Sequence, residues 1–147
     1  METTTPASSG TPWHLWAIGI VAVMWNGFGA YDYLATVMPI ESYMARFTPE
    51  QRAYFDSMPV WAVSAWAIAI WSSVLGSLAL LLRSRWAVWL FAISLAGMAI
   101  SFLWSLVLSN GMEVMGPTPL VFTFVIVAVG VGLFLYSRAM ATSGVLR

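Results

Sequence analysis

Four long apolar segments alternate with short polar ones along this chain. The segments cover about residues 13–36, 60–82, 86–109 and 120–137. At 1.5 Å per residue, a helix of about 20 residues crosses the hydrocarbon core of a bilayer, which is about 30 Å thick. The pattern therefore predicts an all-α integral membrane protein, folded as an antiparallel four-helix transmembrane bundle.

The two ends of the chain do not continue this pattern. Residues 1–12 are small and polar and include two prolines, so we expect a mobile polar tail there. Residues 139–147 follow the last apolar segment, and we expect them to form a short cytoplasmic tail. A single membrane domain over residues 13–138 is the predicted organisation.

The connection between the first two segments is long for a helical hairpin. Residues 41–47 place apolar side chains on one side of a possible short helix. Thr48, Pro49 and Gln51 then have the spacing of a capping box, which predicts a second helix from Pro49 to about Ser57. The sequence thus predicts a short amphipathic helical connector that packs over the mouth of the bundle.

Small residues recur every four positions in the second segment and reappear in the third. Such spacing lets helices approach closely in a membrane. The predicted packing residues are Ala65, Ala69, Ser73 and Ser77 in the second segment, with Gly97 and Ser101 in the third.

The composition indicates that the chain is surrounded by lipid, and it excludes several kinds of chemistry. Hydrophobic residues make up 61% of the chain and charged residues 8%, too few to cover a water-soluble protein. All six basic residues are arginine, so no lysine is available for a Schiff base with a cofactor. There is no cysteine, and the charge is balanced, so we expect no thiolate metal site, no cofactor and no nucleic-acid partner.

The second half of the first segment carries the most conspicuous polar group. Asp32 is the one carboxylate close to the apolar phase, and Trp25, Asn26 and Tyr33 could line a polar site with it. A structural interpretation pairs Asp32 with Arg46 or Arg52 in the connector, or with tyrosine hydroxyl and asparagine amide groups. A functional one makes it a proton or cation site.

Orientation follows from the arginines near the ends of the segments. With both termini in the cytoplasm, four arginines lie inside and two outside; the inner ones are Arg83, Arg85, Arg138 and Arg147. Since basic residues favour the cytoplasmic side, the sequence predicts this topology.

Several motifs within roughly residues 15–110 resemble one group of proteins. These are residues 25–34 (WNGFGAYDYL), 41–44 (ESYM), 47–51 (FTPEQ), 54–55 (YF), 59–61 (PVW) and 83–88 (RSRWAV). They are similar to small four-span inner-membrane proteins of proteobacteria, some of which are loosely labelled sugar transporter. The resemblance implies a multi-pass protein of the bacterial inner membrane, and it implies no binding residues.

Two functions remain open from the sequence. The first is a non-enzymatic packing or accessory subunit that acts through helix–helix contacts, with the lipid bilayer and a homo-oligomer or larger membrane assembly as partners. The alternative is a small-solute carrier or channel component with a polar site around Asp32.

Overall fold

The computed structural model describes residues 10–147, and every regular element in that range is a helix. The predicted polar tail over residues 1–12 falls mostly outside the described residues. The elements are α1 (Trp13–Val37), α2 (Glu41–Met44), α3 (Pro49–Asp56), α4 (Val60–Leu81), α5 (Trp86–Leu103), α6 (Gly111–Met115) and α7 (Pro117–Thr142). A π-helical turn over Trp104–Leu108 continues α5.

Three helices in the described residues are long and apolar enough to cross a membrane. They are Val60–Leu81, the continuous helix Trp86–Leu108 and Pro117–Thr142. α1 has 25 residues but is not among them, because polar residues such as Asn26 and Asp32 lower its hydropathy. The all-helical part of the predicted fold class is therefore confirmed, with three apolar helices that are compatible with a membrane-embedded protein.

The four long helices pack side by side in the order α1, α4, α5, α7. α4 and α5 approach most closely: a methyl group added at Gly97 would lie 2.7 Å from the carbonyl oxygen of Ala65 on α4. Ser94 on α5 reinforces this contact by donating a hydrogen bond of 2.7 Å to the carbonyl oxygen of Ala69. The two helices are antiparallel, because the turn between them is only four residues long.

An apolar core closes the end of the bundle where the α4–α5 turn lies. Its centre holds Leu15 from α1, Leu80 from α4, Phe91 from α5 and Leu133 from α7, all buried. The side chain of Leu146, beyond the end of α7, is also buried there. All four long helices therefore meet at this end, which we call the terminal end.

Short helices cover the opposite end, which we call the connector end. α2 packs on the end of α1 through Ala35, Tyr43 and Met44, which form a small buried cluster. α3 begins with the predicted capping box: the Thr48 hydroxyl accepts from the Gln51 N–H, and the Gln51 side chain accepts from the Thr48 N–H. α6 lies between the third and fourth apolar segments, where the sequence pattern predicts no helix.

Candidate functional site

Asp32 lies near the end of α1, where α2 folds back against it. Its side chain is exposed, and one carboxylate oxygen accepts a hydrogen bond from the Tyr43 hydroxyl. Tyr43 itself is buried, because the chain turns immediately after α1 and returns this ring to the helix. The turn is fixed by a backbone bond of 3.0 Å from the Ile40 N–H to the Ala35 carbonyl.

The Tyr43 phenol keeps its proton over the whole neutral range. Burial of the ring, and next the hydrogen bond to Asp32 and the charge of that carboxylate, raise the pKa of Tyr43 to about 12. The guanidinium of Arg46 lies 4.2 Å above the ring centre and opposes the shift. Tyr43 is thus a persistent hydrogen-bond donor to Asp32, held between a carboxylate and a cation.

The arginines considered as ion-pair partners of Asp32 are engaged elsewhere. Arg52 forms a salt bridge of 3.2 Å with Glu41, which joins α3 to α2. Arg46 stacks on Tyr43 and donates from Nε to the Tyr43 carbonyl at 3.3 Å. Within residues 10–147, Asp32 forms no salt bridge, and its partner is the tyrosine hydroxyl.

The other residues proposed for the polar site each contact a different part of the protein. Asn26 donates from Nδ2 to the Ser77 hydroxyl at 2.8 Å and so joins α1 to α4. The Tyr33 ring packs edge-on against Trp66 of α4, with 5.1 Å between ring centres. Trp25 is 39% exposed on the outer side of α1. The structure therefore brings Asp32 together with Tyr43 but does not gather these four residues around one cavity.

Two clefts in the described part of the chain lie against the start of α7. One is lined by Pro117, Thr118, Val121 and Phe122, and the other lies between the π-helical turn, α6 and α7. None of the four residues of the proposed polar site lines either cleft. Residues 10–147 also contain no group of three histidine, aspartate or glutamate side chains that could hold a metal ion.

A row of aromatic rings runs across the connector end. Neighbouring ring centres lie 5.1–6.0 Å apart, a spacing at which aromatic pairs attract one another. In spatial order the rings are Tyr31, Tyr43, Phe47, Phe55, Tyr54 and Trp104. The row links α1 to the π-helical turn through both connector helices.

Tyr54 attaches the connector to the far side of the bundle. Its hydroxyl lies 3.0 Å from the Ser105 hydroxyl and 3.3 Å from that of Ser109. Gly111 lies directly against this tyrosine, and a methyl group there would collide with it. The sequence does not predict this contact, since the π-helical turn next to the two serines has no simple sequence signal.

All six predicted packing residues are buried, and they face neighbouring helices of the same chain. Four lie on α4 and two on α5; in order they are Ala65, Ala69, Ser73, Ser77, Gly97 and Ser101. α4 lies between α1 and α5, so its small residues allow both neighbouring helices to pack closely against it. The small-residue face is thus used inside the monomer.

His14, the only histidine, forms a contact that closes the terminal end. Its Nδ1 lies within hydrogen-bond distance of the Tyr136 hydroxyl, which ties the start of α1 to α7. The rings also meet edge-on, with 5.7 Å between their centres.

Comparison with models of known protein families, with curated proteins and with solved structures finds no match for this sequence.

Proposed function

We propose that this chain is a small protein of the bacterial inner membrane that spans the bilayer four times, with both termini in the cytoplasm. It acts as a non-enzymatic packing or accessory subunit that contacts another membrane protein, or a second copy, through its helices. The resemblance to small four-span inner-membrane proteins supports the location.

α1 is suited to be the fourth span although its sequence is less apolar. Its 25 residues reach about 37 Å, enough for the hydrocarbon core. Asn26 is hydrogen-bonded to Ser77 within the protein, and Asp32, which accepts from Tyr43, lies near the end of the helix and thus toward the membrane boundary. A polar side chain that is hydrogen-bonded inside the bundle costs less in lipid than an unpaired one.

Charge supports the orientation. Four arginines lie at the terminal end, and the two others lie in the connector with Glu41, Glu50 and Asp56 around them. The excess of basic residues favours the terminal end as the cytoplasmic one.

The accessory role is supported mainly by the exposed face of α7. Only Leu133 and Ser137 of its 26 residues are buried, whereas α4 buries eight of 22. Phe124 and Leu135 are more than half exposed on α7, and Ala128 and Gly132, four positions apart, are exposed beside them. Small residues with that spacing allow another helix to pack closely.

Cysteine crosslinking in native membranes tests this role, because the natural chain has no cysteine. An Ala128→Cys variant should give a discrete crosslinked species on mild oxidation or with a short bismaleimide. Ile68→Cys is the matched control, since Ile68 is 51% exposed on α4. No crosslinked product at residue 128, or equal yields at both positions, would refute a contact through α7.

A carrier or channel component with a polar site around Asp32 is the second candidate. One observation favours it: the carboxylate is exposed and accepts a hydrogen bond without being neutralised by Arg46 or Arg52. Proteoliposomes under a pH gradient should then take up protons, followed with an enclosed pH-sensitive dye, and Asp32→Asn should reduce the rate. Asp56→Asn is the control, because Asp56 is exposed at the end of α3; uptake that is absent, or equal in both variants, would refute the candidate.

A further inference from the structure

The chain beyond α7 folds back onto the turn between α4 and α5. The Arg147 N–H donates to the Arg83 carbonyl at 2.7 Å, and the Arg85 N–H donates to a main-chain oxygen of Arg147 at 3.0 Å. The side chains of Val145 and Leu146 are buried beneath this pairing. Three arginines from two distant parts of the sequence are thus fixed next to one another; we call Arg83, Arg85 and Arg147 the arginine cluster.

Two of the guanidinium groups are held in place by backbone carbonyls. Arg83 donates from Nε to the Val145 carbonyl at 3.2 Å. Arg85 donates from Nε to the Leu146 carbonyl and from Nη2 to the Ala141 carbonyl, both at 3.4 Å. Within residues 10–147, the Nη groups of Arg83 donate to no acceptor, so N–H groups remain for a ligand on guanidiniums that are already oriented.

The end of α4 holds Arg83 in a defined backbone conformation. Arg83 has a φ of 56°, in the left-handed region, just past the end of α4. The Arg83 and Ser84 N–H groups donate to the Leu80 and Ala79 carbonyls there, the arrangement in which helices usually place glycine. The left-handed conformation is unfavourable for a residue with a side chain, so glycine at position 83 would relieve it.

The residues around the arginine cluster indicate which charge a ligand would carry and at which depth in the membrane it would lie. Every acidic residue of the described chain lies at the connector end, and these are Asp32, Glu41, Glu50, Asp56 and Glu113. Arg138 adds a fourth positive charge near the terminal end. Exposed tryptophans, which prefer the headgroup region, surround this end; they are Trp13, Trp16, Trp86 and Trp89.

We infer that the arginine cluster binds the phosphate of an anionic phospholipid headgroup. Guanidinium groups recognise phosphate oxygens through paired N–H donors, and oriented ones lose little entropy on binding. This inference rests on the proposed membrane insertion and is independent of the accessory role.

Lipid-induced stabilisation of the full chain tests the inference. In a neutral detergent, adding phosphatidylglycerol should raise the thermal unfolding midpoint, whereas phosphatidylcholine should not. The double variant Arg83→Gly, Arg85→Gln should bind phosphatidylglycerol about 25-fold more weakly, since each arginine near an anionic surface contributes about a factor of five to the affinity. Arg52→Gln, which removes an arginine at the connector end, should leave the affinity unchanged.

The single variant Arg83→Gly separates a lipid site from a purely structural contact. Glycine relieves the positive φ, so the midpoint without lipid should be at least that of the natural chain, while the gain with phosphatidylglycerol should fall. A lower midpoint without lipid together with an unchanged gain would show that Arg83 only holds the C-terminal segment.

Three further results would overturn the inference. They are equal stabilisation by both lipids, equal loss of affinity in the Arg52→Gln control, and stabilisation by soluble glycerol phosphate as strong as that by the lipid. Release of the protein from membranes by alkaline carbonate would instead refute the proposed insertion.

Discussion

Replacing Gly97 by alanine tests the closest helix contact of the bundle. The new methyl carbon would lie 2.7 Å from the Ala65 carbonyl oxygen, 3.0 Å from the Ala69 nitrogen and 3.3 Å from the Ala69 Cα. All three are backbone atoms of α4, so none of them can rotate away as a side chain would. α4 and α5 would have to separate, which would also lengthen the hydrogen bond from Ser94 to Ala69.

Two opposing terms set the magnitude of this effect. Extra volume in a well-packed contact costs about 1–3 kcal/mol. Alanine is also the better helix former, by about 1 kcal/mol over glycine. Because the contacted atoms are backbone and cannot move aside, we take the upper part of that cost, about 2–3 kcal/mol, and expect Gly97→Ala to lower the free energy of unfolding by about 1–2 kcal/mol.

Gly132→Ala is the matched control, because it makes the same chemical change at an open position. Nothing lies within 4 Å of a methyl group added at Gly132 on α7. Only the helix-propensity term applies there, so this variant should gain up to about 1 kcal/mol. The two variants are thus expected to shift stability in opposite directions.

Unfolding in mixed micelles with increasing dodecyl sulfate, followed by circular dichroism, gives the free energy of unfolding for both variants and the natural chain. If Gly97→Ala is as stable as the natural chain, or gains as much as Gly132→Ala, the close approach of α4 and α5 described above is wrong. A loss in both variants would instead indicate that the outer face of α7 is packed against something.

Three further predictions concern the hydrogen bonds that join the helices. Tyr54→Phe removes the hydroxyl that reaches the π-helical turn, so amide exchange in α3 should become about fivefold faster, and unchanged exchange would contradict the contact. Because the pKa of Tyr43 is raised, the protonated phenol contributes its full stabilisation below pH 10 and loses it as the pH rises toward about 12. The free energy of unfolding should therefore fall over this pH range in the natural chain but not in Tyr43→Phe. The same pH dependence in both proteins would contradict the prediction. Asn26→Ala breaks the bond to its serine partner on α4 and should lower the free energy of unfolding by about 0.6 kcal/mol in the mixed-micelle assay; no loss there would show that the bond is not stabilising.

Features fixed by neighbouring residues could be predicted from the sequence. The capping box at Thr48 and Gln51 needs only residues three apart, and the observed α3 begins at Pro49 as predicted. α4 and α5 likewise begin at Val60 and Trp86, the starts of their apolar segments, because a proline and a short arginine turn precede them. α7 extends beyond its apolar segment at both ends, since the helix continues for as long as its backbone bonds are satisfied.

Contacts between distant residues could not be predicted in the same way. Tyr54 meets Ser105 across about 50 positions, and Arg147 meets Arg83 across more than 60. The sequence left either an arginine of the connector or a tyrosine or asparagine side chain as the partner of Asp32, and the tight turn after α1 brings Tyr43 to that carboxylate. The partner was decided by chain geometry, which charge pairing does not encode.

The small-residue spacing on α4 indicates that a helix packs closely there, but that helix could belong to the same chain or to another one, because the same forces act in both cases. The length of the loop that follows α4 decides between a neighbour from the same chain and a neighbour from another chain. The four-residue turn after α4 forces α5 onto that face, where Gly97 meets Ala65. α7 comes after a longer connection that contains α6, and it touches the bundle mainly through α5. The helix with the least constrained connection therefore has the largest uncovered face, and a lateral partner should be sought at Ala128 and Gly132 rather than at the more regular stripe on α4.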